Sequence, residues 1–239
     1  MTLSRCVLIT GSAQGLGREM ALHLAAPGTL LLLHYGTSDE AAQSLVSAAS
    51  DLGARAVALQ ADLAEPRERE RLMERVIAET GSLQVLINNA GLYLPLPLLE
   101  ITAAQWKTTL EVTCGAVHHI TQMAAPLLRK GAPARVINLG DSGNDRIVSR
   151  PQATPYHIAK LGVNVLTRSY ARALGPDGIT VNQISPGIME NSIDGPEAPI
   201  PAGRRGAYSD LLAAMDYLLS PAADYVSGTN LVVSGGWNR

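Results

Sequence analysis

Seven short apolar runs, separated by segments with helical spacing, constrain the fold of this 239-residue chain more than any other feature. A continuous apolar run of this length is typical of a parallel strand that is covered on both faces. The alternation predicts a doubly wound parallel α/β sheet of about seven strands with helices on both faces and a ligand site beyond the carboxyl ends of the strands. The predicted strands lie at 6–10, 29–34, 55–60, 84–88, 134–139, 178–184 and 229–233. The predicted helices lie at 15–26, 39–52, 66–80, 101–129, 155–174 and 207–219.

Composition narrows the class of protein. Hydrophobic residues make up 46% and charged residues 17%, which supplies a sizeable core and excludes a disordered chain. The 19 basic and 21 acidic residues form no basic block, so we expect no nucleic-acid or membrane partner. Two cysteines, no signal-peptide pattern and no apolar stretch of roughly 20 residues predict a cytoplasmic protein without a cysteine-rich metal site. No repeat or linker divides the chain, so we expect one domain over 1–239.

A glycine-rich turn directly follows the first predicted strand and leads into the first predicted helix. Glycine permits a tight turn, lets backbone N–H groups approach a pyrophosphate and lets the helix pack close to the sheet. Because the glycines lie between a strand and a helix, they indicate a dinucleotide site rather than a bare structural turn. The residues assigned to this part of the cofactor site are Gly11, Gln14, Gly15, Leu16, Gly17 and Arg18.

The end of the second predicted strand indicates which dinucleotide is bound. An acidic residue there would bond the ribose hydroxyls and repel a 2′-phosphate, but the chain reads His-Tyr-Gly-Thr-Ser over 34–38. The nearest carboxylates, Asp39 and Glu40, fall in the first turn of the next helix, where the helix dipole favours them without a cofactor role. We therefore predict NADPH rather than NADH. The residues assigned to this end of the site are His34, Tyr35, Thr37 and Ser38, with Arg18 near them in sequence.

Tyr156 and Lys160 lie four residues apart at the start of a predicted helix, so they share one helix face. A free phenol has a pKa of about 10 and is a poor acid–base group near neutrality. A nearby ammonium favours the phenolate and brings proton transfer into range. If the pair stood alone, a solvated helix face would be the more frequent explanation, but other motifs accompany it.

In their order along the chain, these motifs resemble those of the short-chain dehydrogenase/reductase family over essentially the whole length. The resemblance implies a Rossmann-type domain, a homotetramer, Asp62 against the adenine and Lys160 on the nicotinamide ribose. Each motif also has a structural alternative, such as a helix cap at Asp62 or plain turns at the Asn-Asn and Pro-Gly pairs. The matching motifs are Thr10-Gly11-x3-Gly15-x-Gly17, Ala61-Asp62-Leu63, Asn88-Asn89-Ala90-Gly91, Tyr156-x3-Lys160, Asn182, Pro186-Gly187 and Val226-Ser227-Gly228. The cofactor-binding residues that the resemblance adds are Asp62, Leu63, Asn89, Ala90, Gly91, Tyr156, Lys160, Pro186 and Gly187.

The sequence departs from the family pattern at Asp141, where most members have a serine. Pteridine reductases within the family have an aspartate there and share a His-Tyr-x-x-Ser element like that at 34–38. If Asp141 takes the place of the serine, its carboxylate can accept hydrogen bonds from an amino-pterin ring and relay protons. If the two extra residues before Tyr156 shift the loop, Ser142 takes that place and Asp141 is a turn residue. We favour Asp141, and we assign Asp141, Ser142, Tyr156 and Lys160 as the candidate catalytic residues.

A second departure is Thr113, which stands where the family usually has an asparagine that supports a water next to the lysine. The usual proton relay is therefore in question. The irregular segment 186–206 is a candidate substrate lid, with a variable surface loop as the equal alternative. Together these features predict an NADPH-dependent reductase of a C=N or C=O acceptor, a dihydropterin first. The alternatives are a reductase of a 3-oxoacyl thioester or small ketone, and a non-catalytic NADP(H)-binding sensor.

Overall fold

A computed structural model describes residues 4–192 and 199–237 and places strands from nearly the whole length of the chain in one sheet. All seven strands are parallel, in the order β3-β2-β1-β4-β5-β6-β7. Strands β1 to β7 span Arg5–Ile9, Thr29–Tyr35, Arg55–Gln60, Val85–Asn88, Ala134–Leu139, Ile179–Pro186 and Asn230–Val233. Helices α1 to α7 span Gly15–Leu24, Asp39–Asp51, Pro66–Glu79, Ala103–Leu110, Ala116–Lys130, Thr154–Leu174 and Tyr208–Leu219. The predicted Rossmann-type sheet with helices on both faces is confirmed.

Alternation along the apolar strands builds the two faces of the core. In β2, Leu30 and Leu32 pack among side chains of α3 and α5, whereas Leu31 and Leu33 pack among those of α1, α2 and α7. All four leucines are fully buried. Burying one leucine side chain stabilises the fold by about 1.5–3 kcal/mol. The continuous apolar run therefore fixes β2 in the interior, with a helical layer on each side.

The long helix predicted over 101–129 is interrupted in the structure. A π-helical turn at Glu111–Gly115 separates α4 from α5. The buried guanidinium of Arg69 in α3 donates to the Glu111 carboxylate at 2.7 Å, beside this turn. A π turn inserts an extra residue and shifts the phase of the following side chains, so a helical periodicity read over the whole segment misses it. The turn places Thr113 in the interior.

The strand order reverses beside β1, because β2 and β4 flank it on opposite sides. In such sheets the crevice outside the carboxyl ends of the strands at the reversal is where ligands bind. The glycine turn after β1, the Asn-Asn-Ala-Gly motif after β4, the Pro-Gly pair after β6 and the start of α6 lie at this edge, whereas Asn182 lies within β6 and Val226-Ser227-Gly228 precedes β7. The fold therefore gathers the predicted site residues at one end of the sheet.

The candidate lid over 186–206 is described only in part, since positions 193–198 lie outside the described residues. In the parts that are described, the backbone N–H of Glu190 donates to the carbonyl of Gly206 at 2.9 Å, and that of Gly206 donates to Ile188 at 3.0 Å. The two ends of the segment therefore lie side by side at the crevice. Its closure over a substrate stays a prediction.

Two negative findings apply to residues 4–192 and 199–237. No helix in these ranges is long and apolar enough to cross a membrane. The same ranges contain no cluster of three or more His, Cys, Asp or Glu side chains that could hold a metal ion.

Candidate active site

The glycine turn has the geometry of an anion cradle. Gly11 adopts a φ of +62°, a backbone conformation that glycine allows without strain. A Cβ at Gly17 would lie 2.4 Å from the carbonyl oxygen of Gly11 and 2.6 Å from Nδ2 of Asn89, so only glycine fits there. Helix α1 begins at Gly15, and the preceding Gln14 gives it no side-chain cap. The first N–H groups of the helix are thus left to an anionic group in the crevice.

Asn89 joins the loop after β4 to this glycine turn. Its Nδ2 donates to the carbonyl oxygens of Thr10 and Gly11 at 3.0 and 2.8 Å. In return, Thr10 Oγ1 accepts hydrogen bonds from the backbone N–H groups of Asn89 and Ala90 at 3.0 and 3.1 Å. The Asn89 side chain therefore supports the turn, and the residue also lines the adjoining cavity, where the sequence resemblance puts it.

His34 also supports the turn rather than offering a cation to a phosphate. Its Nδ1 accepts from the backbone N–H of Gly11 at 3.0 Å, so Nε2 carries the ring proton and donates to the carbonyl of Ala61 at 3.1 Å. Burial lowers the pKa of His34 to about 4, so the ring is neutral near pH 7. With both ring nitrogens engaged, His34 has no N–H for a phosphate, and its predicted role is corrected to holding β1, β2 and the loop after β3 together.

A cavity of about 550 Å³ opens beside these residues along the carboxyl ends of β1, β2, β3 and β4. Asp62, at its edge, accepts a hydrogen bond on Oδ1 from the backbone N–H of Ala64 at 2.9 Å, which fixes the carboxylate in a turn. The volume and the concave glycine-lined wall suit a nucleotide. The cavity is lined by Gly11, His34, Gly36, Thr37, Gln60, Ala61, Asp62, Leu63, Asn89, Ala90, Gly91 and Val112.

Three predicted cofactor residues lie next to this cavity without lining it. Tyr35 packs against Ala13 and Ala42, and its hydroxyl donates to Asp39 at 2.6 Å. Ser38 is the residue from which α2 begins. Arg18 extends along α2, where its guanidinium donates to the carbonyl of Ala41 at 3.3 Å. Of the residues after β2, Thr37 is therefore the one whose side chain can face the cofactor directly.

The catalytic pair lies in the first turns of α6, as the spacing predicts. Lys160 is only 3% exposed, and its Nζ donates to the carbonyl of Leu139 at 2.6 Å and lies 5.5 Å from the centre of the Tyr156 ring. Burial lowers the pKa of Lys160 to about 8, against the opposing effect of the Asp141 carboxylate. Asn144 holds the lysine from behind, since its Nδ2 donates to the Lys160 carbonyl at 2.9 Å.

The pKa of Tyr156 differs from the expectation that an ammonium would lower it. Burial raises this pKa above its ordinary value, and the charges of Asp141 and Tyr93 raise it further. Lys160 does not lower this pKa because its ammonium bonds to the carbonyl of Leu139 and lies 5.5 Å from the centre of the Tyr156 ring. The phenol is therefore protonated at neutral pH, which is the form that can donate a proton to an acceptor.

Asp141 and Ser142 occupy contrasting environments after β5. The Asp141 carboxylate is about one-fifth exposed, lies 3.1 Å from Nδ1 of His157 and acts electrostatically on both Tyr156 and Lys160. Ser142 is 1% exposed, and its Oγ has no hydrogen-bond partner in the described part of the chain. Of the two, Asp141 is the residue whose side-chain charge reaches the catalytic pair.

Thr113 lies beside the lysine, as the resemblance to the family implies. Its Oγ1 accepts from the backbone N–H of Leu92 at 3.0 Å. A Cβ at Gly91 would meet Lys160 Nζ at 3.6 Å and Thr113 Cγ2 at 3.8 Å, so the three residues are neighbours. The hydroxyl of Thr113 is used to fix the loop after β4.

Pro186 and Gly187 close the far side of the crevice, at the end of β6. The backbone N–H of Ser142 donates to the Pro186 carbonyl at 3.0 Å, and that of Gly187 donates to Val233 at 2.9 Å. A Cβ at Gly187 would lie 2.7 Å from Ser234, so β6 and β7 approach closely here. The loops after β5, β6 and β7 are thereby joined next to the catalytic helix.

Sequence reasoning missed two residues of this site, His157 and Asn144. Both depend on the path of 140–153, the loop that brings the start of α6 back against β5. His157 follows Tyr156 directly, and the only signal in the sequence was a second titratable group beside a catalytic one.

Comparisons with known proteins agree with this geometry. Residues 11–238 match the protein family described as enoyl-(acyl carrier protein) reductase. The 3-oxoacyl-(acyl-carrier-protein) reductase FabG of Staphylococcus aureus is 31% identical over 99% of this chain and 99% of its own. A short-chain dehydrogenase from Burkholderia cenocepacia, solved with NADP, is 33% identical with a TM-score of 0.89 over 98% of both chains. A blue fluorescent protein from a metagenomic library, solved with NADPH, is 29% identical with a TM-score of 0.90 over 99% of this chain and 98% of its own.

Proposed function

Because this chain belongs to the short-chain dehydrogenase/reductase family and is an NADP-dependent oxidoreductase, we propose that it reduces the C=N bond of a dihydropterin or a related pteridine. The observation that carries the proposal is the Asp141 carboxylate beside Tyr156 and Lys160, with a histidine bonded to it. The assignment of the chain as an NADP-dependent oxidoreductase does not depend on this choice of acceptor.

The glycine turn and the adjoining cavity fit the cofactor. A Cβ at Gly11 or Gly17 would collide with neighbouring protein atoms, so glycine keeps the turn tight, and the uncapped start of α1 offers backbone N–H groups to the pyrophosphate. Thr37 offers a hydroxyl and no negative charge to the adenosine ribose, which suits a 2′-phosphate. NADPH supplies the hydride when it is bound in this crevice.

Tyr156 is the proton donor in the proposed reaction. The acceptor carbon gains the hydride, the acceptor nitrogen gains the Tyr156 proton, and one C–H and one N–H bond replace the π bond. The raised pKa keeps the phenol protonated until transfer. Lys160, held by Leu139 and Asn144, keeps one position beside the Tyr156 ring.

Asp141 favours a pterin over a ketone on electrostatic grounds. Reducing a ketone builds negative charge on its oxygen, and a carboxylate at the usual serine position would repel that charge. A pterin instead presents amino and ring N–H groups, which form charge-assisted hydrogen bonds with a carboxylate. The edge-on contact of Tyr93 with Tyr156, at 5.0 Å between ring centres, adds an aromatic wall suited to a planar ring.

A 3-oxoacyl thioester is the second candidate acceptor, favoured by the 31% identity to FabG of Staphylococcus aureus. If that reductase activity is the true one, Ser142 must act in place of Asp141. A non-catalytic NADP(H) sensor is the candidate from another class, and Thr113 at the position of the family asparagine is the feature that supports it.

One assay separates the three. The purified protein is incubated with NADPH and, in separate reactions, with 7,8-dihydrobiopterin, quinonoid dihydropterin, acetoacetyl thioester and a small ketone, while absorbance at the nicotinamide band is followed. We expect kcat/KM for a pterin to exceed that for the thioester by at least about tenfold, equivalent to about 1.4 kcal/mol. Turnover of the thioester alone would replace the proposal with the second candidate, and NADPH binding without any turnover would favour the sensor.

The homotetramer and the cytoplasmic location stay predictions. Sedimentation of the purified protein tests the homotetramer.

A further inference from the structure

The active-site helix carries a histidine whose contact with Asp141 the reaction above does not use. His157 Nδ1 lies 3.1 Å from Asp141 Oδ2. An ionised carboxylate only accepts hydrogen bonds, so Nδ1 must carry a ring proton and donate it. The two side chains are 20% and 21% exposed, so the pair is shielded enough for the bond to hold its geometry.

The surroundings of His157 restrict how its ring can turn. The Tyr156 ring lies 5.5 Å away and the Tyr93 ring 6.5 Å away, both nearly perpendicular to the imidazole. The backbone of His157 is fixed in the first turns of α6, where its N–H donates to Ala153. The imidazole is therefore a rigid donor on a rigid element, which is what a precise site requires.

The bond engages one oxygen of the Asp141 carboxylate, Oδ2, and does not involve Oδ1. Without a donor, the Asp141 side chain would be free to rotate toward solvent, since a terminal carboxylate torsion is broad. With Oδ2 held by His157, Oδ1 is the atom that can accept an N–H from the substrate. In metal sites, mutation of a residue that holds a ligand side chain in place typically costs about 10–100-fold in affinity or activity, and the same reasoning applies to a carboxylate that recognises a substrate.

We propose that His157 is a positioning residue that orients the Asp141 carboxylate toward the N–H groups of the acceptor, an inference that rests on the proposed pterin reductase function. It acts on the substrate through Asp141. The substrate class it selects is therefore one with N–H donors next to the reducible bond.

The test compares two substitutions at this position. We expect His157→Ala to raise KM for the pterin by about 10–100-fold, the range for hydrogen bonds to charged groups, with a smaller change in kcat. His157→Asn retains a donor, because its Nδ2 stands in for Nδ1, and should restore KM to within about threefold of the parent protein. The matched control is His23→Ala, which breaks a His–Asp contact of 2.9 Å with Asp216, outside the crevice, and should leave both constants unchanged.

A double-mutant cycle isolates the route through Asp141. In an Asp141→Ala background, His157→Ala should change KM by less than about twofold, because the group it positions is gone. An equal loss in both backgrounds would overturn the inference, as would a failure of His157→Asn to restore KM.

A structural readout separates this inference from the proposed function. In ¹⁵N NMR spectra of the parent protein, His157 should be the Nδ1–H tautomer when neutral, and Asp141→Ala should remove that preference. If pterins are not reduced but a ketone or thioester is, the proposed function fails, and the spectra still report whether His157 donates to Asp141. If the spectra reveal an Nε2–H ring in the parent protein, the positioning role fails whichever acceptor is reduced.

Discussion

The Nζ atom of Lys160 donates a 2.6 Å hydrogen bond to the backbone carbonyl of Leu139, and this bond ties the catalytic helix α6 to the end of β5. The lysine has one defined position because its side chain is buried and its carbonyl is held by Asn144. A buried ammonium loses hydration, and this loss sets its titration behaviour.

Lys160 makes stability depend on pH in the alkaline range. Burial lowers its pKa from 10.5 to about 8 in the folded chain, so between these values the unfolded chain binds more protons. The contribution is fully present above pH 10.5 and is lost as pH falls toward 8, with a span of about 3 kcal/mol. We therefore expect the free energy of unfolding of the parent protein, taken relative to that of Lys160→Met, to be higher at pH 10 than at pH 7.5. Urea unfolding at the two pH values measures this difference. A difference that stays constant across the two pH values would contradict the lowered pKa.

Tyr156→Phe should abolish reduction while the cofactor still binds. The substitution removes the proton donor and retains the ring, so kcat should fall by at least about 10²-fold, as for general acids. Stopped-flow absorbance measures turnover, and NADPH fluorescence titration should give a Kd within about tenfold of the parent value. Unchanged turnover would remove Tyr156 from the reaction.

Asp141→Ala and Ser142→Ala should have unequal effects. Loss of the carboxylate should lower kcat/KM for a pterin by about 10–100-fold, because a hydrogen bond to a charged group is lost. Ser142→Ala should change kcat/KM by less than about threefold and leave stability unchanged or higher, since its buried Oγ has no partner in the described residues. Steady-state kinetics and thermal unfolding measure both. A collapse of activity in Ser142→Ala with little loss in Asp141→Ala would exchange the roles of the two residues.

Thr37→Asp should shift cofactor preference from NADPH to NADH. Thr37 lines the cofactor cavity at the end of β2, and a carboxylate there would repel a 2′-phosphate and bond the ribose hydroxyls of NADH. The Kd for NADPH should rise by at least about tenfold, while that for NADH stays constant or falls. Thr37→Val is the matched control, because it removes the hydroxyl without adding charge. Equal weakening of both cofactors by Thr37→Asp would place the phosphate elsewhere.

Gly17→Ala should damage both the fold and cofactor binding. The added methyl would lie 2.4 Å from the Gly11 carbonyl oxygen, and relief requires a shift of α1 away from the turn. Overpacking of this kind costs about 1–3 kcal/mol, and the Kd for NADPH should rise with the displacement. Gly81→Ala is the control, since nothing lies within 4 Å of its added Cβ. Calorimetry measures the stability of the two variants, and fluorescence titration measures their Kd for NADPH. A Gly17→Ala protein with the stability and Kd of the parent protein would contradict the close approach.

Local patterns along the chain were enough to predict the sheet, because β1, β2, β4, β5 and β6 are buried along nearly their whole length and read as continuous apolar runs. The strand boundaries differ from the predicted ones by two residues or fewer. The π turn at Glu111–Gly115 was not predicted. It is accompanied by a hydrogen bond from Arg69, in another helix, to Glu111. Such a contact has no local sequence signal.

In the site, motifs identified which residues converge but not always what they do there. Gly11, Gly17, Thr37 and Lys160 have the predicted placement. His34 and Asn89 line the cofactor cavity as predicted, but the hydrogen bonds of their side chains go to the protein backbone. A polar side chain next to a binding motif can bond inward or outward, and only its buried partners decide which.

The buried imidazole of His34 stays neutral in mild acid, so its hydrogen bond at the nucleotide end of the crevice is kept. A second ring proton would set Nδ1–H against the Gly11 N–H that it now accepts, and the pKa of about 4 keeps that proton away down to pH 5. The pocket for the coenzyme thus keeps its shape across the interval in which a solvent-exposed histidine would change charge. Acidification to pH 5 should therefore leave the hydrogen bond from the Gly11 N–H to His34 in place.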